Sequence, residues 1–179
     1  MREKLYFAYG SNINLDQMAR RCPAAQAITP VTLNGYQLVF RGRMGNNGVA
    51  TIVPNLTKQV KGLLWEITPA CERALDQYEG FPTLYGKQNV KVMDKDGKAY
   101  TVMAYVMTRE FELEPAYPSM SYCTGIAQGY AQNGIPEKGL SEALTLCRRE
   151  VDRWREAECD RFGLLSARRG KSKHSDHER

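Results

Sequence analysis

Hydrophobic and polar positions along the chain predict a run of strands, one short helix set among them, and two helices at the end. Lys4 to Tyr9 is a short aromatic-rich apolar run that stops at Gly10, the pattern of a buried strand. Asn12 or Asn14 can cap the helix that follows, whose Leu15, Met18, Ala19 and Cys22 fall on one face before Pro23. Strands are then expected at Ala25–Thr29, Gly35–Gly42, Gly48–Val53 and Gln59–Ile67, with turns at "LNG" and "GRMGNNG". Thr68 followed by Pro69 reads as an N-cap with proline at the first helical position, opening a short helix through Leu75 and Tyr78. Gln88–Met93 and Ala99–Thr108, joined by "DKDGK", predict a hairpin.

The last third is helical in pattern. Met120, Cys123, Ala127 and Tyr130 form one stripe, and Gly125 and Gly129, four apart, allow a close approach. A longer helix from Pro136 to about Cys159 carries Leu140, Leu144, Cys147, Val151 and Trp154 on one face. This order predicts an α+β class, with a largely antiparallel or mixed sheet curled into a barrel rather than alternating βαβ units.

Charge changes the picture only at one end. The net charge is +5, but "ARRGKSKHSDHER" holds +3 of it, leaving +2 for the body. One domain is expected over residues 1–165, and a basic, disordered tail over 166–179. A basic face for nucleic acid is therefore not expected. Five scattered cysteines, without a CxxC pair, argue against a zinc site or a disulfide framework and for a reducing, cytoplasmic setting. No run is long enough to predict a leader or a membrane span.

Both histidines, His174 and His177, lie in the tail. Histidine-based triads and the usual histidine metal sites are thereby removed from the body, and no metal or cofactor is expected. Proton chemistry would fall to carboxylates, tyrosines, lysines, cysteines or backbone groups.

Two stretches offer such chemistry. In "YFAYGSN", a strand end, a glycine and a helix start gather unpaired amides around one point, which suits a carboxylate or phosphate equally with a plain capping turn. In "LDQYEGFPTLYGK", Glu79 ends a short helix just before Gly80, where the helix dipole opposes ionisation. Burial beside Tyr78, Phe81 or Tyr85 would raise its pKa further, towards the range useful for general acid–base work. Glu66 and Asp76 compete with it, in less favourable settings. Arg41 and Arg43 are weaker candidates for an acidic ligand, and Tyr85 and Tyr122 for the rim of a pocket.

Together, in this order, the two stretches resemble the γ-glutamylcyclotransferase family. "GVATIVP", "VKGLLWEIT" and "PSMSYCTGIAQGYAQNGIPE" extend the resemblance over residues 4 to 145. The resemblance implies a compact α+β fold around a small mixed β-barrel, with a short embedded helix and C-terminal helices. It implies release of 5-oxoproline from a γ-glutamyl amine or amino acid, without a cofactor. By position, Tyr9, Gly10, Ser11 and Asn12 would grip the α-carboxylate, Glu79 would be the acid/base, and Tyr85 and Tyr122 would line the pocket. The glutathione-specific branch usually has leucine where this chain has Asn12, which points towards the other branches. The expected partner is a small γ-glutamyl molecule, with no nucleic acid and no membrane. The competing reading is a non-catalytic module binding a small carboxylate on the same fold.

Overall fold

A computed structural model describes residues 3–42, 47–111 and 114–161. Strands β1 (Lys4–Ala8), β2 (Gln26–Arg41), β3 (Val49–Ile67), β4 (Tyr85–Asp94) and β5 (Ala99–Met107) close a barrel in the order β1-β3-β2-β4-β5. All neighbours run antiparallel except β1 and β5, which meet in parallel at Tyr6 and Met103. The barrel is thus closed and mixed, with β2 meeting β4 over residues 31–33 while the β2–β3 ribbon runs on beyond that contact. Helices α1 (Leu15–Arg21), α2 (Pro69–Glu79), α3 (Met120–Gln132) and α4 (Lys138–Arg161) complete the fold. Among the described residues, no helix is long and apolar enough to cross a membrane. The expected tail at 166–179 lies outside the described residues.

The four strands expected between residues 25 and 67 are two long ones. β2 spans 16 residues and β3 spans 19, paired from Gln26↔Glu66 to Arg41↔Val49. "LNG" is not a turn; the register shifts there, between Asn34 and Tyr36, as a bulge within β2. Bulges and turns ask for the same residues, so composition cannot separate them. The β4–β5 hairpin runs from Tyr85↔Met107 to Met93↔Ala99.

The helix ends follow their capping residues. Asn14 caps α1, its side chain accepting from the Gln17 amide, and Thr68 caps α2 by accepting from Cys71. Gly80 closes α2 in the left-handed region, at φ 64°. On α1, Met18 and the adjoining Cys22 are buried, while Ala19 is exposed.

Helix α3 departs most from its pattern. Met120 is exposed, and the buried face is Gly125, Ile126, Gly129 and Tyr130. This face rests on a 3-10 turn at Ser11–Ile13. A Cβ on Gly129 would sit 2.5 Å from Ile13 Cγ2 and 2.7 Å from the Asn14 nitrogen. Asn14 Nδ2 donates to the Gly125 carbonyl at 2.9 Å, and Asn133 Nδ2 to the Ile13 carbonyl at 2.9 Å. Helix α4 buries Leu140, Ala143, Cys147 and Val151 and packs along β2. Arg41 is engaged there, pairing with Glu150 at 2.7 Å rather than facing a ligand; Arg43 lies outside the described residues.

Gly129→Ala tests this packing with a decided sign. Helix propensity alone would stabilise the protein by about 1 kcal/mol. The collision with Ile13 and Asn14 should win and destabilise it by roughly 1–3 kcal/mol in urea unfolding. A more stable variant would show that α3 does not press on the turn.

Candidate active site

At one end of the barrel a tight cleft is lined by Tyr6, Tyr9, Gly10, Ser11, Asn12, Ala50, Glu79, Tyr85, Tyr105 and Tyr122. About 20 Å³ of it admits the centre of a water-sized sphere. A larger cavity, about 670 Å³, lies between the far part of the β2–β3 ribbon and the start of α4. It holds neither the Gly10–Asn12 turn nor Glu79. Size and chemistry therefore disagree, and chemistry decides, because the small cleft is where titratable groups converge. Among the described residues, no three of His, Cys, Asp and Glu gather as a metal site would require.

The turn after β1 supplies one wall. Ser11 and Asn12 open a 3-10 turn, so their N–H groups have no acceptor within it. Gly10 is needed for closeness: a Cβ there would lie 3.3 Å from Ala50 Cβ and 3.4 Å from the Tyr122 hydroxyl. Trp65 Nε1 donates to the Asn12 carbonyl at 3.1 Å, tying the turn to β3.

Glu79 supplies the opposing group. Asn12 Nδ2 donates to Glu79 Oε1 at 2.7 Å and to the Tyr6 hydroxyl at 2.9 Å. The Asn12 side chain is thus committed to Glu79, and what the turn offers a ligand is its backbone. Burial pushes the Glu79 carboxyl up to about 7; the Asn12 hydrogen bond and the Arg21 charge pull the other way without cancelling it. The walls around it are Tyr6, Tyr9, Tyr85, Tyr105 and Tyr122 rather than Tyr78 and Phe81, both of which are exposed.

The phenols divide by what their hydroxyls do. Tyr9 donates to the Tyr105 carbonyl at 2.5 Å, Tyr85 to the Ala50 carbonyl at 2.6 Å, and Tyr105 to Asp76 Oδ1 at 2.6 Å. Those three protons are spent on the protein. Tyr122 accepts from the Ala50 amide at 3.1 Å and Tyr6 from Asn12 Nδ2 at 2.9 Å, which leaves each of them its own proton to donate. Burial raises the pKa of all five above the ordinary tyrosine value, so they stay neutral around Glu79.

Asp76, one of the competing carboxylates, is held by Tyr105 and by Lys87 at 2.7 Å. Lys87 also reaches Glu72 at 2.8 Å, which Lys4 pairs at 2.6 Å. These pairs dock α2 on the barrel and so aim its last residue, Glu79, into the cleft. Sequence patterns alone did not single out Tyr6, Tyr105 or Arg21. Arg21 donates to Asn12 Oδ1 at 2.6 Å and to the Tyr78 hydroxyl at 2.6 Å.

The raised carboxyl makes stability depend on pH in a defined sense. Because the fold favours protonated Glu79, its contribution is full below the ordinary value of 4.5 and is lost as pH rises through about 7. Relative to Glu79→Gln, whose amide cannot titrate, the wild type should lose roughly 3 kcal/mol across that window in unfolding measured at several pH values. A stability difference flat with pH would contradict the buried carboxyl.

Residues 6–124 match the family described as Gamma-glutamyl cyclotransferase, AIG2-like. A human protein named gamma-glutamylcyclotransferase is 33% identical over 139 residues, 74% of this chain and 72% of its own length. A mouse protein of the same name is 33% identical over 141 residues, covering 75% and 73%. A solved structure named gamma-glutamyl cyclotransferase superposes with a TM-score of 0.71 at 31% identity, covering 80% of this chain and 87% of that one. With the family matched over residues that include the whole cleft, the chain belongs to the Gamma-glutamyl cyclotransferase, AIG2-like family of enzymes.

Proposed function

We propose that the protein is a γ-glutamylcyclotransferase that releases 5-oxoproline from a γ-glutamyl amine or γ-glutamyl amino acid, with Glu79 as general acid and base. The observation that carries this reading is the short hydrogen bond from Asn12 to a Glu79 carboxyl whose pKa stands at about 7, beside the amides of the Ser11–Ile13 turn. A carboxyl poised there can both take and give a proton near neutral pH.

The substrate carries its own nucleophile. Its α-carboxylate lies on the Ser11 and Asn12 amides, which brings the α-ammonium group towards Glu79. Ionised Glu79 removes a proton, and the α-amine attacks the γ-carbonyl carbon, closing a five-membered ring. The carbonyl oxygen gains negative charge, and the unspent Tyr122 proton is placed to support it. As the γ-amide bond breaks, Glu79 returns the proton to the departing nitrogen. The ring nitrogen, left with one surplus proton by the attack, gives it up through Glu79 to the freed amine, leaving 5-oxoproline and an ammonium product. Neither an enzyme nucleophile nor a water molecule enters this sequence. Because nucleophile and carbonyl belong to one molecule, no bimolecular encounter has to be organised, and the cleft has only to hold the glutamyl chain in its ring-closing conformation. The acid/base adds about 10²- to 10⁴-fold.

Asn12 supports a leaving group other than that of glutathione, and the tightness of the cleft confines recognition within it to the glutamyl part. The leaving group extends to the cleft mouth.

The test is 5-oxoproline release from γ-glutamyl-alanine, γ-glutamyl-ε-lysine, glutathione and a γ-glutamylated aminoglycoside side chain. Wild type should turn over at least one, with kcat rising with pH through about 7 as Glu79 ionises. Glu79→Gln should lower kcat by about 10²- to 10⁴-fold while still binding a γ-glutamyl analogue. Binding without turnover by the wild type would replace this reading with that of a small-carboxylate binding module.

A further inference from the structure

Resting on that reading, a second question is what keeps the Asn12 amide facing Glu79 the right way round. The two ends of an asparagine amide have nearly the same shape and opposite hydrogen-bonding character. Asn12 Nδ2 donates to Glu79 and Tyr6, so its Oδ1 points away from them, towards Arg21. A guanidinium has five donors and no acceptor, so only an oxygen can face it.

Arg21 itself is tightly held. Its Nη1 donates to Asn12 Oδ1 at 2.6 Å and to Ser11 Oγ at 3.2 Å. Its Nη2 donates to Gln17 Oε1 at 2.6 Å and to the Tyr78 hydroxyl at 2.6 Å. The guanidinium carbon also lies 3.7 Å from the centre of the Tyr78 ring. Every one of these partners is neutral. Among the described residues, no carboxylate forms an ion pair with Arg21, and its charge is left to act on its surroundings.

The geometry points to Arg21 as a positioning residue: it fixes which face of the Asn12 amide meets Glu79, and it presents an unneutralised positive charge to that carboxyl. Turning the amide over would set Nδ2 against the donors of Arg21 and Oδ1 against the carboxylate oxygen. Protonating Glu79 would relieve only the second of these clashes, and a protonated Glu79 cannot accept the proton of the α-ammonium group.

Among the described residues, the groups facing Glu79 leave Arg21 as the charge that favours its ionised form. Tyr6 lies in β1 and Tyr9 just after it, Tyr85 comes from β4, Tyr105 from β5 and Tyr122 from α3, and all remain neutral phenols near pH 7. Asp76, one turn earlier on α2, is committed to Lys87 and Tyr105. Tyr78 then acts one step further out, holding Arg21 by its ring and its hydroxyl together.

The experiment follows the Glu79 side-chain carboxyl by carbon NMR against pH in substrate-free protein, alongside kcat profiles for the same variants. Arg21→Met should raise the Glu79 midpoint by about one unit. At pH 7 kcat should then fall about fivefold, with the loss shrinking at higher pH, as expected when the ionised fraction is what has changed. Arg21→Lys should recover part of the shift. Should Arg21→Met fail to fold, Arg21→Gln carries the test, since it keeps a donor for Asn12 and loses the charge; a smaller upward shift is expected.

A midpoint unmoved within about 0.2 unit in the folded uncharged variant would overturn the role of Arg21. A uniform loss of kcat at every pH would overturn it too, since that marks general structural damage. Because the midpoint is read without substrate, the two readings fail separately. A shifted midpoint in a protein that turns over no γ-glutamyl compound would refute the cyclotransferase reading and leave Arg21 in place.

Discussion

The hydrogen bond from Asn12 to Glu79 joins segments 67 residues apart, and the surrounding structure is arranged to bring its two ends together. One end sits on a turn pinned from three sides: Trp65 on β3, Arg21 on α1, and the glycine face of α3 pressed against Ile13 and Asn14. The other end is the last residue of α2, docked by Lys4, Lys87 and Tyr105 through Glu72 and Asp76. The parallel meeting of β1 and β5 sets Tyr6 and Tyr105 side by side, their rings 5.7 Å apart and edge to face. Barrel closure thus builds the walls, and two short helices deliver the polar groups.

Burial gives this arrangement its character. A carboxyl in water is almost fully ionised at neutral pH, which makes it a weak base and a scarce acid. Ringed by phenols that stay neutral, Glu79 is brought close to even occupancy of its two forms. Opposing contributions from Asn12 and Arg21 keep it from being driven further. The phenols also divide the labour. Tyr9, Tyr85 and Tyr105 spend their protons on rigidity, while Tyr6 and Tyr122 accept from the protein and keep theirs to offer.

Much of this was legible in the sequence where the signal is local. Thr68, Pro69 and Gly80 mark both ends of α2 and so place Glu79 at its C-terminus; Asn14 marks the start of α1. The abrupt break after "YFAY" correctly places a turn at Gly10 to Asn12. What stayed hidden depends on partners far along the chain. Tyr6 and Tyr105 belong to strands whose inner residues are buried in unbroken runs, so alternation does not say which side chains face the cleft. Arg21 looked like an ordinary last-turn cation because its acceptors come from the preceding turn and from α2. Hydrophobic spacing put Met120 on the inner face of α3 where it is exposed, while the spacing of Gly125 and Gly129 did mark the close approach on which that helix packs. "LNG" was misread because the residues that permit a turn also permit a bulge.

The central claim is that the glutamyl group is gripped between the Ser11–Asn12 amides and Glu79, and a crystal structure of Glu79→Gln with bound γ-glutamyl-alanine tests it most directly. The account predicts the α-carboxylate on those amides, with the α-amine about 3 Å from the side chain at position 79 and the γ-carbonyl oxygen near the Tyr122 hydroxyl. A ligand bound in the larger cavity between the β2–β3 ribbon and α4, with the tyrosine-lined cleft unchanged, would contradict it.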